Sequence, residues 1–335
     1  MNQAKGPHIV VIGGGTGSFV VLSGLKQYAR HLTALVSMAD DGGSTGQLRD
    51  EYGVLPPGDT RQCLVALSTS PRVRELFNYR FDDGTMSGHA FGNLFLTALE
   101  KMTGSFAESV ALAKDVLRVD GDVVPITLDD IELEAHDGKR IICGESAFLA
   151  TKLHSRPTIR VKHRNGHGKV RLNPAAKDAI QMADLIVIAP GNLYTSLAPA
   201  LAVPGIGKLL VRASARVVYV ANLINKPNQT EGYFVHDYVA ELERIAGAKF
   251  IDYVIYNIRR PADELLARYA AEGERPVRVA ESALRQAHYK SIGTNLLSCN
   301  VWRNQSSADP LAAQRSLIRH NSDAVARAIM KLYFS

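Results

Sequence analysis

The sequence predicts an α/β protein with a doubly wound, mostly parallel, Rossmann-like sheet and a β-rich insertion. Three observations lead there. Short β-branched runs alternate with stretches whose apolar residues recur at a spacing near 3.6. The runs are apolar almost throughout, as strands covered on both faces are. Their ends carry glycine-rich polar turns. Strands are expected at residues 8–12, 33–38, 185–189, 217–221 and 253–257. Helices are expected at 20–28, 63–67, 91–102, 106–117, 234–245 and 324–332. Strand, helix, strand in this order is the pattern of a parallel sheet with helical crossovers.

Residues 123–172 break that rhythm. Runs at 123–128, 131–136, 139–143 and 159–163 read as short strands, with Asp137-Gly138 and Asn165-Gly166 as hairpin turns between flanking strands. They are read as an insertion within a single α/β unit spanning residues 1–335. The sheet resumes at Asn173, where Asn173-Pro174 opens a helix ending near Ala183.

Composition sets outer bounds. The 335 residues, at about 150 per domain, make one large or two modest domains. With 46% apolar and 21% charged residues, disorder, collagen-like repeats and coiled coil are excluded. The net charge of +6 is too small for nucleic acid as a global partner. Cys63, Cys143 and Cys299 lie too far apart for a metal-binding pair and are odd in number, which fits a reducing cytoplasm. The polar N-terminus is unlike a signal peptide, and no apolar stretch reaches the ~20 residues of a membrane span. A cytoplasmic protein is therefore expected, with no membrane span.

The first strand runs directly into Gly13-Gly14-Gly15-Thr16-Gly17-Ser18 and then a helix. Such a turn aims backbone N–H groups and a helix N-terminus at a phosphate; the other reading is a tight turn whose glycines allow close packing. It fails the dinucleotide fingerprint at Ser18 and lacks the lysine of a Walker loop. The second strand ends in Asp40-Asp41-Gly42-Gly43, an acid pair suited to ribose hydroxyls, to a hydrated cation such as magnesium, or simply to Asx turns in a solvated loop. Asp59 with Gln62 resembles a capping box. Arg61, in the first turn of that helix, opposes the helix dipole and wants an anion, either a phosphate or Asp40. His89 and Asn93, around the start of the helix at 91–102, are pocket-lining candidates.

After the insertion, a strand ends in Pro190-Gly191-Asn192-Leu193-Tyr194-Thr195-Ser196, which repeats the glycine-loop logic, and the next strand ends in Asn222. Four polar strand ends imply one shared crevice. Lys152, Arg156, Arg160, Lys162, Arg164, Lys169 and Arg171 form a basic run without interleaved aromatics. That argues against stacked nucleic-acid bases and for a solvated β face, with binding of an acidic partner as the other reading.

Taken together, Ile9-Val10-Val11-Ile12-Gly13-Gly14-Gly15-Thr16-Gly17, Ala39-Asp40-Asp41-Gly42-Gly43-Ser44, Leu55-Pro56-Pro57-Gly58-Asp59, Gly88-His89 with Gly92-Asn93-Leu94, and Pro190-Gly191 with Leu193-Tyr194-Thr195-Ser196 resemble the gluconeogenesis factor (YvcK-like) family. These proteins are relatives of the 2-phospho-L-lactate (CofD-like) transferases. The resemblance runs from about residue 8 to about residue 332. It implies a cytoplasmic protein that binds a UDP-sugar, notably UDP-N-acetylglucosamine, and influences cell-wall metabolism on gluconeogenic carbon without an established reaction. The alternative it implies is a magnesium-dependent transferase with a nucleotide-diphospho donor, in which Asp40 and Asp41 serve the metal-assisted step. Tyr233 in Glu231-Gly232-Tyr233, Tyr269, and Arg319-His320 resemble positions associated with nucleotide-sugar binding. The sequence departs from the family at Ile224-Asn225-Lys226-Pro227-Asn228-Gln229 and at Ile258-Arg259-Arg260-Pro261. The expected partner is a nucleotide sugar, a homodimer is allowed, and magnesium is the one cofactor the acids admit.

Overall fold

The computed structural model describes residues 6–298 and 317–335; Cys299 lies outside them. The chain opens with β1 (His8–Ile12), α1 (Gly15–Leu25), β2 (His31–Val36), α2 (Gly43–Tyr52), α3 (Pro57–Leu67), α4 (Pro71–Asn78), α5 (Phe91–Thr103) and α6 (Phe106–Leu117). Then come β3 (Asp122–Pro125), β4 (Ile131–Asp137), β5 (Arg140–Cys143), α7 (Glu145–Leu149), β6 (Thr158–His163), α8 (Pro174–Met182) and β7 (Leu185–Ile188). A wide π-type turn, Leu193–Leu197, leads to α9 (Ala198–Leu201), α10 (Ile206–Arg212), β8 (Arg216–Val220), β9 (Ile224–Asn225), α11 (Val235–Ala246) and β10 (Tyr253–Asn257). The chain closes with α12 (Asp263–Ala271), β11 (Arg275–Pro276), α13 (Glu281–Gln286), β12 (Lys290–Thr294) and α14 (Ser322–Tyr333).

Seven strands form one parallel sheet in the order β12-β10-β8-β7-β1-β2-β3. The expected doubly wound α/β fold is present. The apolar runs are the inner strands: Val11, Ile12, Leu35 and all four residues of β7 are fully buried, each such side chain contributing about 1.5–3 kcal/mol. Of the two outer strands, only β12 escaped the sequence reading. An edge strand needs less apolar character, and Lys290-Ser291-Ile292-Gly293-Thr294 has one large apolar residue. The run at 123–128, expected as a strand of the insertion, is a strand but belongs to the central sheet as edge strand β3, paired in parallel with β2.

The insertion's own sheet is antiparallel, β5-β4-β6. Asp137-Gly138 turns β4 into β5 as expected, with Gly138 at φ 64°. Asn165-Gly166 also turns, but the chain then enters no strand before α8, so it makes no hairpin. The basic run is largely neutralised here. β6 lies beside β4 with Lys162 opposite Glu132 and Arg160 opposite Glu134. Lys162 reaches Glu134 at 3.0 Å, Arg164 reaches Asp50 at 2.5 Å, and Arg156 reaches Asp237 at 2.7 Å. This is a charge-paired, solvated face.

Among the described residues no single helix is long and apolar enough to cross a membrane. The closest packing in the sheet's upper edge is between the loops after β1 and β7. A Cβ on Gly17 would lie 1.6 Å from the Pro190 carbonyl oxygen, so backbone meets backbone there. Gly17→Ala is expected to force these loops apart and to cost about 1–3 kcal/mol, typical of overpacking. Chemical denaturation checks this; an unchanged midpoint would show that the loops yield freely.

Candidate functional site

β1 and β7 are neighbours, yet the chain leaves them toward opposite sides of the sheet. At such a switch point the connections pass on to opposite faces and a crevice forms at the carboxyl edge. Here the crevice measures about 170 Å³. Thr16 and Gly17 from the first turn of α1, Gly191 and Asn192 from the loop after β7, and Asn222 after β8 line one part of it. Asn222 fastens the second loop from both sides: its Nδ2 donates to the Gly191 carbonyl at 2.6 Å, and its Oδ1 accepts from the Gly191 N–H at 3.3 Å. Asn192 Oδ1 accepts from the N–H groups of Tyr194 and Thr195. Lys226, Glu274, Tyr269 and Arg319 line the rest. Arg319 precedes α14, whose N-terminus is capped by Asn321, and Tyr269 accepts from the Ile318 N–H at 3.0 Å, which seats the Arg319 segment.

Beside the glycine loop lies a pocket of acids. Asp59 is not the cap that its spacing to Gln62 suggested; α3 starts at Pro57 without a side-chain cap. Instead its carboxylate turns to the first loop, accepting from the Gly15 N–H, and a Cβ on Gly14 would fall 1.7 Å from Asp59 Oδ2. Glycine at 14 is thus what lets the carboxylate in. Asp40 accepts from the Gly42 N–H at 2.9 Å and from Thr45. Glu145, at the start of α7 in the insertion, hydrogen-bonds Thr195. Burial, and then the charge of Asp40, push the Asp59 carboxyl up to about 7. Burial raises Asp40 as well, and burial followed by the Asp40 charge raises Glu145 well above the carboxylate range. Repelling, partly desolvated carboxylates attract either protons or a cation.

Several expected residues are placed otherwise. Asp41, paired with Asp40 in the sequence reading, accepts from the Glu145 and Ser146 N–H groups at 2.9 and 2.8 Å and so caps α7. Arg61 donates to Asn93 at 2.9 Å and to Asn78 at 2.6 Å. Asn93 passes this on to Ser44, which meets His89 Nδ1 at 3.0 Å. The Arg61, Asn93 and His89 side chains therefore tie α3, α5 and α2 together behind the acids and do not line the crevice. Ser18 is buried beneath Gly13, and Leu193 and Tyr194 are core residues. Tyr233 lies away from the crevice, with its hydroxyl 2.9 Å from that of Tyr194 and Arg156 over its ring. Ser196 is half-buried in the π-type turn. The sequence reading missed Glu145, Lys226 and Glu274. For Glu145 a pointer existed: Gly144 before a polar helix start repeats the glycine-turn pattern.

A profile of the family described as 2-phospho-L-lactate transferase CofD matches residues 9–297. The chain belongs to the CofD family. Within it, the chain is 36% identical to the gluconeogenesis factor of Bacillus subtilis (strain 168), over 97% of this chain and 98% of that protein. It is 37% identical to the gluconeogenesis factor of Halalkalibacterium halodurans, over 98% of this chain and 97% of that one. A crystal structure of a UPF0052 family protein from Bacillus halodurans superposes with a TM-score of 0.86 at 34% identity, covering 97% of this chain and 99% of that one. This CofD-family chain thus stands among the gluconeogenesis factors.

The acid pocket makes the stability of this CofD-family protein pH-dependent. A folded-state pKa of about 7 for Asp59, above its unfolded value near 3.8, means that the folded protein holds the extra proton between those values. Stability is greatest below that window and falls as pH rises through it. The thermal midpoint is expected to drop from about pH 5 to about pH 8, less so in Asp59→Asn. Glu100, raised to about 7 by burial, adds slope of the same sign to both proteins, so the difference between them is the readout. Parallel profiles in a thermal-melt series would show that Asp59 is ionised throughout.

Proposed function

We propose that this chain binds a UDP-sugar, UDP-N-acetylglucosamine above all, in the crevice between the β1 and β7 loops. In this reading it acts as a binding regulator linked to cell-wall and cell-shape control on gluconeogenic carbon. The observation that carries the reading is the crevice itself: backbone of two glycine loops at the point where strand order reverses, with Arg319, Lys226 and Tyr269 in its lining. The Arg319 guanidinium beside the loop backbone at the start of α1 suits a diphosphate. The absence of glycine at position 18 disfavours a dinucleotide.

A second reading, a magnesium-dependent transferase with a nucleotide-diphospho donor, is favoured by the acid pocket. Among the described residues no three acidic, histidine or cysteine side chains form a ready metal cage. Magnesium typically takes only one or two carboxylates and completes its shell with water and phosphate, and the raised carboxyls of Asp40, Asp59 and Glu145 fit that need. Asp40 and Asp59 would hold the ion, replacing the Asp40–Asp41 pair expected from sequence, and the ion would neutralise charge on the diphosphate.

Charge-assisted phosphate contacts contribute roughly 1.5–3 kcal/mol each, so titration calorimetry should give tens of micromolar or tighter for UDP-N-acetylglucosamine and weaker heats for NAD. Arg319→Ala should cost about tenfold or more in that affinity with little change in folding. NAD binding as well as the UDP-sugar would overturn the reading. Asp40→Asn with Asp59→Asn should remove any difference between titrations with magnesium and with chelator. Asp41→Asn should instead lower the thermal midpoint through loss of the α7 cap, worth about 0.5–2 kcal/mol. A magnesium effect lost only in Asp41→Asn would restore the Asp40–Asp41 pair.

A further inference from the structure

The crevice contains a carboxylate that phosphate binding does not need. Glu274 follows α12 and directly precedes β11, and its side chain, 11% exposed, lines the crevice near Tyr269 and Arg319. It is held in place. Its N–H donates to the Tyr269 carbonyl at 2.9 Å, β11 pairs with β9 beside it, and the half-exposed Lys226 ammonium pairs with its Oε1. Among the described residues Oε2 has no protein partner.

A buried negative charge next to an anion site weakens phosphate binding, and Lys226 offsets this only in part. What a carboxylate adds is acceptor-only chemistry with lone pairs to spare, matched by a pair of adjacent hydroxyls. In dinucleotide-binding sheets an acid after the second strand does this for the ribose. Here that place belongs to Asp40, which is committed to Gly42 and Thr45 beside Asp59.

We propose that Glu274 reads the ribose of the bound nucleotide, accepting from its 2′ and 3′ hydroxyls while Lys226 orients the carboxylate, so that the site selects ribonucleotides over 2′-deoxyribonucleotides. This rests on the nucleotide-sugar reading above. The β9 and β11 ribbon is then the specificity wall of the crevice and the glycine loops are its phosphate side.

The test is titration calorimetry of the wild type, Glu274→Gln and Glu274→Ala with UDP-N-acetylglucosamine and with its 2′-deoxyuridine counterpart. The wild type is expected to prefer the ribonucleotide about tenfold or more, and both variants to lose most of that preference. The preference is a ratio measured within one protein, so a general loss of affinity or of folded fraction does not imitate the result. A wild-type preference below about twofold, or variants that keep the full preference, would overturn the role of Glu274 while leaving the UDP-sugar reading intact. Failure of the wild type to bind either ligand would overturn the nucleotide-sugar reading, and this one with it.

Discussion

Two stretches of backbone after adjacent parallel strands, β1 and β7, approach until the Pro190 carbonyl occupies the space a side chain at position 17 would need. Most of the site follows from that contact. The loops can close on each other only because position 17 carries no side chain, and once closed they line one rim of the crevice with Thr16, Gly17, Gly191 and Asn192. Asn222 locks the arrangement by hydrogen-bonding both backbone groups of Gly191, which makes the end of β8 a third wall. The core beneath is apolar, so the polar groups at the strand ends have the crevice as their outlet.

The same close approach brings carboxylates together at a cost. Gly14 admits Asp59, the charge of Asp40 raises Asp59, and the insertion adds Glu145 from a different layer of the protein. Nothing in a stable fold requires this. A carboxyl pushed up to about 7 is a standing tension, of a kind concentrated at functional sites. Asp41, one residue from Asp40, spends its oxygens on capping α7 while its charge still raises Asp40 and Glu145. By that cap it also seats Glu145 against the acids. The insertion is in this sense part of the site, and its paired charges on β4 and β6 keep its outer face solvated.

The chain's place in the CofD family and its resemblance to gluconeogenesis factors agree with this architecture. The crevice and the acid pocket meet at the two loops: Thr16 and Asn192 face one, Gly15 and Thr195 the other. A phosphorylated ligand in the crevice would therefore sit against loops whose other side carries buried negative charge. That layout suits either a sensor in which ligand binding alters the protonation of the acids, or an enzyme in which a cation bridges acids and phosphate.

Sequence alone determined the inner strands, the glycine loops and the sense of the sheet, because burial on both faces writes continuous apolar runs and tight turns demand glycine. It marked Gly17, Gly191, Asn192, Asn222, Tyr269 and Arg319, all of which line the crevice. It did not reveal edge strand β12, whose half-exposed positions carry little apolar pattern, or α2, whose polar glycine-rich start has no helical period, and it assigned β3 to the insertion although that strand pairs with β2. Nor could it separate Asp40 from Asp41, or free Asp59 from its capping role, since adjacent residues differ only in where their side chains point. That was decided by tertiary structure: α3 swung Asp59 toward Gly14, and the insertion claimed Asp41 and delivered Glu145 from more than 100 positions away in sequence. Such pairings are long-range, and no local spacing rule can encode them.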